Sequence, residues 1–322
     1  MKKLGLAAGA VVLLGLAGLI WFASGWYGSA DVEEDTSFIV PQGSTLTAVA
    51  GLLAEEGLID SSDSFLLRAK ILGSGDPIQA GEFLIPAGAS ASQILDTFQN
   101  GQVIRRFVTV PEGLPSIMVW ERLMAEDLLT GEVPVPEEGS VLPDTYDFER
   151  GESRASVVAR MQAAMDEYLA KAWADRSANA VVKSPEEAII LASVVEKETG
   201  VPEERRMVAG ALSNRVRIGM SLGADATTIY PITKGKPLGR RIKISELRDK
   251  NPYNTRAIAG LPIGPITNPG REAIAAVLDP ADTKALYYVA DGSGGHVFAE
   301  TLDQHNRNAA AWRKLRRERG EM

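Results

Sequence analysis

Two glutamates, Glu196 and Glu198, close the apolar run Ala188-Ile189-Ile190-Leu191-Ala192-Ser193-Val194-Val195 in a chain with few other groups able to do chemistry. There is no cysteine, and there are only 2 histidines, His296 and His305. Thiol nucleophiles, thiolate metal sites and imidazole clusters are therefore excluded. Gly-x-Ser-x-Gly, Ser-x-x-Lys and His-Glu-x-x-His are absent as well, which disfavours the common serine and zinc hydrolases. Chemistry falls to carboxylates, hydroxyls, amides and cations, with no cofactor and no metal expected. A carboxyl group beside an apolar wall, at the negative end of a helix, has its charged form disfavoured, so its pKa rises toward the range a general acid needs. At about 100° per residue the two glutamates diverge by about 200°, and one cleft cannot easily use both. Glu198 extends the stripe of Leu191, Val194 and Val195, whereas Glu196 continues that of Ile189, Ala192 and Ser193. The competing reading is that both are solvated, with Glu198 paired to Arg205 or Arg206.

The element that must hold Glu198 is a helix entered through Ser184-Pro185-Glu186-Glu187, where Ser184 caps, Pro185 takes the first position and Glu187 completes a capping box. Ahead of it, Val157, Val158, Met161, Met165, Tyr168 and Leu169 recur at helical spacing and predict a helix over 153–173. Residues 4–23 carry no charge and span about 30 Å as a helix, the hydrocarbon core of one bilayer. A signal-peptide core is usually shorter. Lys2 and Lys3 put residues 1–3 in the cytoplasm by the positive-inside rule, with the bulk of the chain in the periplasm. Trp21, Trp26 and Tyr27 read as an aromatic belt at the outer interface, and Asp31, Glu33, Glu34 and Asp35 make residues 24–36 an acidic stalk.

Beyond the stalk, Phe38-Ile39-Val40, a turn, a helix capped by Ser44, a second helix from Phe65, the strand Gly81-Glu82-Phe83-Leu84-Ile85 and a short helix over 92–98 predict a small α+β module over 37–104. Val108-Thr109-Val110-Pro111-Glu112-Gly113 and Leu142-Pro143-Asp144-Thr145-Tyr146 punctuate a loop-rich connecting segment, 105–152. A larger α+β domain fills 153–322. The fold class is thus α+β with one N-terminal transmembrane helix. The length of 322 residues suits two domains, and 34 Lys+Arg against 42 Asp+Glu give a net charge of −8, which argues against a nucleic-acid partner.

Several motifs carry a resemblance. Val40-Pro41-Gln42-Gly43-Ser44-Thr45-Leu46 before a helix resembles the opening of a LysM-type module, which binds N-acetylated glycans. With the anchor it precedes Val195-Glu196-Lys197-Glu198-Thr199, Ser213-Asn214-Arg215-Val216-Arg217-Ile218-Gly219-Met220, Tyr253-Asn254-Thr255, Gly260-Leu261-Pro262-Ile263-Gly264-Pro265-Ile266-Thr267-Asn268-Pro269-Gly270 and Tyr288-Val289-Ala290-Asp291-Gly292-Ser293-Gly294-Gly295-His296-Val297-Phe298. Taken in this order they resemble the endolytic murein transglycosylase family, also called MltG or YceG-like.

The resemblance implies cleavage between N-acetylmuramic acid and N-acetylglucosamine in nascent peptidoglycan strands at the inner membrane, without water. It maps the catalytic role onto Glu198, the residue the helix stripe selects. Asp144, Asn214, Arg217, Asp225, Tyr230, Tyr253, Asn254 and His296 are the expected substrate-binding residues. Arg215 and Arg217 cannot share a helix face, so at most one of them reaches a sugar or a stem-peptide carboxylate. The chain departs from the family at Gly223 and Ala226, where Gln and Pro are usual. Peptidoglycan synthases are the protein partners the resemblance implies. Two other classes fit the same residues: a hydrolase in which water attacks, and a non-catalytic membrane-anchored glycan binder.

Overall fold

The structure, a computed structural model, describes residues 2–29 and 32–320, and the side chains from residue 9 onward within the first helix. Met1 of the expected cytoplasmic tail and Ala30 and Asp31 of the expected stalk lie outside the described residues. The chain forms two compact units, Met1–Arg106 and Phe107–Met322.

The first unit runs α1 (Lys2–Tyr27), β1 (Thr36–Val40), α2 (Leu46–Glu55), α3 (Ser62–Leu72), β2 (Gly81–Ile85) and α4 (Ala91–Asn100). β1 and β2 pair antiparallel with Phe38 opposite Phe83. The rings of Phe38 and Phe83 lie 5.3 and 5.5 Å from that of Phe98, and Val40, Leu53, Ile85 and Ile94 fill the core around them. Thr45 rather than Ser44 caps α2, because its extended backbone lets Oγ1 accept the Ala48 N–H at 3.3 Å.

Residues 9–27 are long and apolar enough to cross a membrane. Trp26 is not part of an exposed aromatic belt. Only 1% exposed, it belongs to the module core against Phe65, 5.7 Å between rings, since a large indole gains most by burial. The described part of the expected stalk is packed as well. Val32 joins the same core, its carbonyl accepts the Gly88 N–H, and the Asp35 carboxylate accepts the Ala87 N–H at 2.9 Å.

The second unit starts on β3 (Arg105–Thr109), followed by α5 (Ser116–Met124), β4 (Thr145–Glu149), α6 (Arg154–Ala174), α7 (Pro185–Glu198), a 3-10 turn at Pro202–Glu204, α8 (Arg205–Arg217), α9 (Asp225–Thr233), α10 (Ile244–Arg248), α11 (Arg271–Leu278), β5 (Tyr287–Ala290), β6 (His296–Ala299) and α12 (Leu302–Glu318). β3 pairs with β4 and β5 with β6. The segment expected to be a loop-rich joint has a core of its own, in which Val110, Val119, Leu123, Val141 and Phe148 pack with Val157 and Met161 of α6. Arg154 locks this lobe by donating to the carbonyls of Leu123, Gly131 and Glu126 at 2.7, 2.9 and 2.7 Å, which satisfies a nearly buried guanidinium.

α7 is the axis of this unit. Ala188, Leu191, Ala192, Val194 and Val195 are fully buried, with α6, α8, α9 and α11 packed around them. Burial of each Leu or Val contributes about 1.5–3 kcal/mol, enough to hold the helix end rigidly. Ser184 caps its start, while the Glu187 carboxylate accepts the N–H of Lys183, one residue before the cap. The helix stops after Glu198 because Thr199 turns extended and accepts the Val201 N–H at 3.0 Å, and Pro202 keeps Val201 extended.

Candidate active site

Glu198 is the last residue of α7, so its carboxyl group meets the unpaired carbonyls at the negative end of the helix dipole. Part of its surface stays open to solvent. Even so, the protein around it strips away enough water to raise its pKa, the dominant effect. The Tyr288 hydroxyl donates to Oε2 at 2.7 Å and pulls the pKa back. Among the described residues Oε1 has no hydrogen-bond partner, so it is the oxygen free to carry a transferable proton. The nearby Asp225 charge raises the pKa further, and Arg256 and His296 lower it. Tyr288 in turn is held protonated, its own pKa raised by burial and by the Glu198 charge.

Tyr288 reaches Glu198 because β5 and β6 form a hairpin. Tyr288 opposes Phe298, and His296, two positions along β6, lies on the same face. His296 meets the Tyr288 ring edge-on at 5.5 Å. Glu204 grips His296 twice, accepting its backbone N–H at 2.7 Å and lying 2.8 Å from Nδ1. The Glu204 carboxylate also packs on Gly295, in the space a Cβ would occupy. Arg215 also supports the hairpin, donating to the Leu286 and Leu222 carbonyls with its guanidinium over the rings of Tyr287 and Tyr288. His305 of α12 stacks on Tyr287 at 5.3 Å, and burial pushes its imidazole pKa down.

Asp225 opens α9 and pairs with Arg256. Threonine hydroxyls fix that pair in place. Thr227 and Thr255 share a 2.8 Å hydrogen bond, Thr255 Oγ1 accepts the Ala224 N–H, and Thr228 donates to Asn254 Oδ1 at 2.7 Å. Asn254 is 1% exposed, and its amide donates to the carbonyls of Glu246, Leu247 and Asp249. It braces the loop and has no group left for a sugar. Gly223 has φ +67° and its N–H donates to the Thr255 carbonyl, so this turn requires the left-handed backbone that glycine adopts freely.

Of the residues expected from the sequence, the structure groups Glu198, Asp225 and His296. Tyr230 and Tyr253 pack on each other at 4.9 Å, and Tyr230 bonds to the half-buried Glu138, whose pKa is raised by desolvation. Asp144 pairs with Arg271 at 2.8 Å and caps its own Thr145 N–H, which holds its pKa down. Asn214 donates to the carbonyls of Thr283 and Ala285, and Arg217 donates to Asn214 and to the Asn179 carbonyl. These last two line a different cavity, since the helix face that carries them lies away from Arg215.

Glu196 accepts the Gly270 N–H at 2.9 Å and lies 4.0 Å from Arg205, which itself pairs with Glu112. It therefore anchors the proline-rich loop 260–270. Arg206 pairs with Asp279, so neither arginine pairs with Glu198. Tyr288, Arg256 and Glu204 were not singled out from the sequence, and Arg215, weighed there against Arg217 for contact with a sugar or stem peptide, donates to backbone carbonyls instead. Pairing 287–290 with 296–299 across the glycine turn would have placed Tyr288 and His296 on one face.

A model of the YceG-like family matches residues 38–311. The chain is 26% identical over 310 residues to the endolytic murein transglycosylase of Bacillus subtilis (strain 168), covering 86% of this chain and 84% of that protein. It is 27% identical over 321 residues to the endolytic murein transglycosylase of Streptococcus pneumoniae serotype 2, covering 84% of this chain but 57% of that longer protein. The crystal structure of a yceG-like protein from Listeria monocytogenes superposes with a TM-score of 0.54 at 24% sequence identity, over 85% of this chain and 98% of that one, a likeness of fold.

Proposed function

Because the chain belongs to the YceG-like family, we propose that it is a membrane-anchored endolytic transglycosylase of peptidoglycan in which Glu198 is general acid and then general base. The observation that carries this reading is a single desolvated carboxyl at a helix end, with one oxygen held by Tyr288 and the other without a partner. Protonated Oε1 gives its proton to the glycosidic oxygen as the bond from that oxygen to muramyl C1 breaks. The muramyl C6 oxygen then bonds to C1, and its hydroxyl proton passes to the Glu198 carboxylate, which restores the acid and leaves a 1,6-anhydro ring. Positive charge developing at C1 is met by the substrate's own acetamido oxygen, so one protein carboxylate suffices where ordinary glycosidases need two.

In the same reading, the β-α-α-β order of β1, α2, α3 and β2 supports a LysM-like glycan-binding role for the first unit. α1 anchors the protein in the inner membrane with the bulk of the chain in the periplasm, where synthases that polymerise the strand are its partners. Asp225 and His296 act beside the reacting sugar.

Digestion of purified murein followed by mass spectrometry tests the reaction. Products ending in anhydromuramic acid, one water lighter than reducing ends, are expected; reducing ends would establish a hydrolase instead. Glu198→Gln is expected to lower product formation by about 10²–10⁴-fold while glycan binding persists. Cleavage by this variant at the wild-type rate would reject the assignment.

A further inference from the structure

The end of α1 and the start of α3 enclose a cleft of about 210 Å³, lined by Ser24, Gly28, Ser61 and Arg68. Arg68 leans over the rings of Trp21 and Phe22, 5.7 and 5.6 Å from their centroids, inside the segment apolar enough to span a membrane. Its Nε is shut off from water and has no hydrogen-bond partner among the described residues. A guanidinium keeps its charge at any physiological pH, and an unpaired donor of that kind favours an anion. The guanidinium packs directly on Gly25, in the space a Cβ would occupy. Asp60 also lines the cleft and forms no ion pair with Arg68.

A second observation lies on the same helix. Leu67 and Ile71, four residues apart on one face of α3, are 53% and 61% exposed, and Lys70 between them is exposed too. Exposed apolar side chains flanked by cations, beside a helix that changes from exposed at Trp21 to buried at Trp26, match a lipid interface in both polarity and depth.

We propose that α3 docks on the leaflet that α1 leaves, with Leu67 and Ile71 dipping among acyl chains and Arg68 holding the phosphate of an anionic phospholipid headgroup. This rests on the reading that α1 spans the membrane. Docking fixes the first unit at the bilayer surface instead of letting it swing on a tether.

The full chain in nanodiscs of phosphatidylcholine, alone or mixed with phosphatidylglycerol, provides the test. Amide hydrogen exchange over residues 62–72 is expected to be about fivefold slower with phosphatidylglycerol, the effect of one basic side chain at a charged surface. Arg68→Gln should remove the difference. Leu67→Ser with Ile71→Ser, at positions outside the core, should raise exchange in both lipids. Equal exchange in the two lipids, with the protein still resistant to alkaline carbonate extraction, overturns docking and leaves the spanning reading intact. Release by carbonate removes both. Protection seen only when two copies share a disc assigns the face to self-association and also overturns the proposal.

Discussion

At Glu198 burial raises the pKa, and four side chains whose effects have known signs adjust it. General-acid catalysis requires the protonated form, so kcat/KM falls as pH rises through the Glu198 pKa, and the alkaline limb of the profile reports that pKa. Tyr288 stabilises the carboxylate. Tyr288→Phe is therefore expected to move the alkaline limb up by about one pH unit, the value of one hydrogen bond to a charged group, and to lower the rate. Asp225 and Arg256 act in opposite senses, so Asp225→Asn should move the limb down and Arg256→Gln up, each by less than the tyrosine because the pair is exposed and screened. Shifts of the same sign in these two variants would show that neither charge is felt at the carboxyl. Glu198 was legible in the sequence because an apolar stripe at helical spacing leads to it. Tyr288 and Arg256 were not, since they sit on a hairpin and a loop that only long-range packing brings beside it.

Among the elements, α7 and the loop 260–270 do the positioning. Ser193, inside α7, accepts the Ile266 N–H at 3.1 Å, and Glu196 accepts that of Gly270, so one helix holds the loop at two points. Asn268 ties the loop to the lobe around α5. Fully buried, it accepts the Val141 N–H and donates to the Leu114 carbonyl and the Ser116 hydroxyl. Asn268→Ala removes these side-chain hydrogen bonds and leaves the Val141 N–H unpaired, and is expected to cost about 2–4 kcal/mol in denaturant unfolding, without moving the alkaline limb. Helices were readable from caps and periodicity, as with Ser184 before α7 and the apolar spacing along α6. The lobe over 105–152 was not, because its strands and its helix are short and their proline- and glycine-rich flanks look like turns; the buried Arg154 that organises it carries no local signal.

For the whole molecule, the buried Trp26 makes the end of α1 part of the first unit's core. A chain beginning at residue 37, the boundary expected from composition, lacks Trp26 and Val32. Its first unit should be about 3–5 kcal/mol less stable than that of a chain beginning at residue 24, which circular dichroism during thermal unfolding would measure. Charge patterning suggested a stalk there because acidic residues are usually solvated, and the single indole that overrides them is visible only once the module has folded. The hydrogen bond between Glu198 and Tyr288 has a further consequence. Its two ends are 90 positions apart, so a ribosome has delivered the acid long before the hydroxyl that orients it. During synthesis the polypeptide is thus a blade without an edge until the closing hairpin has emerged.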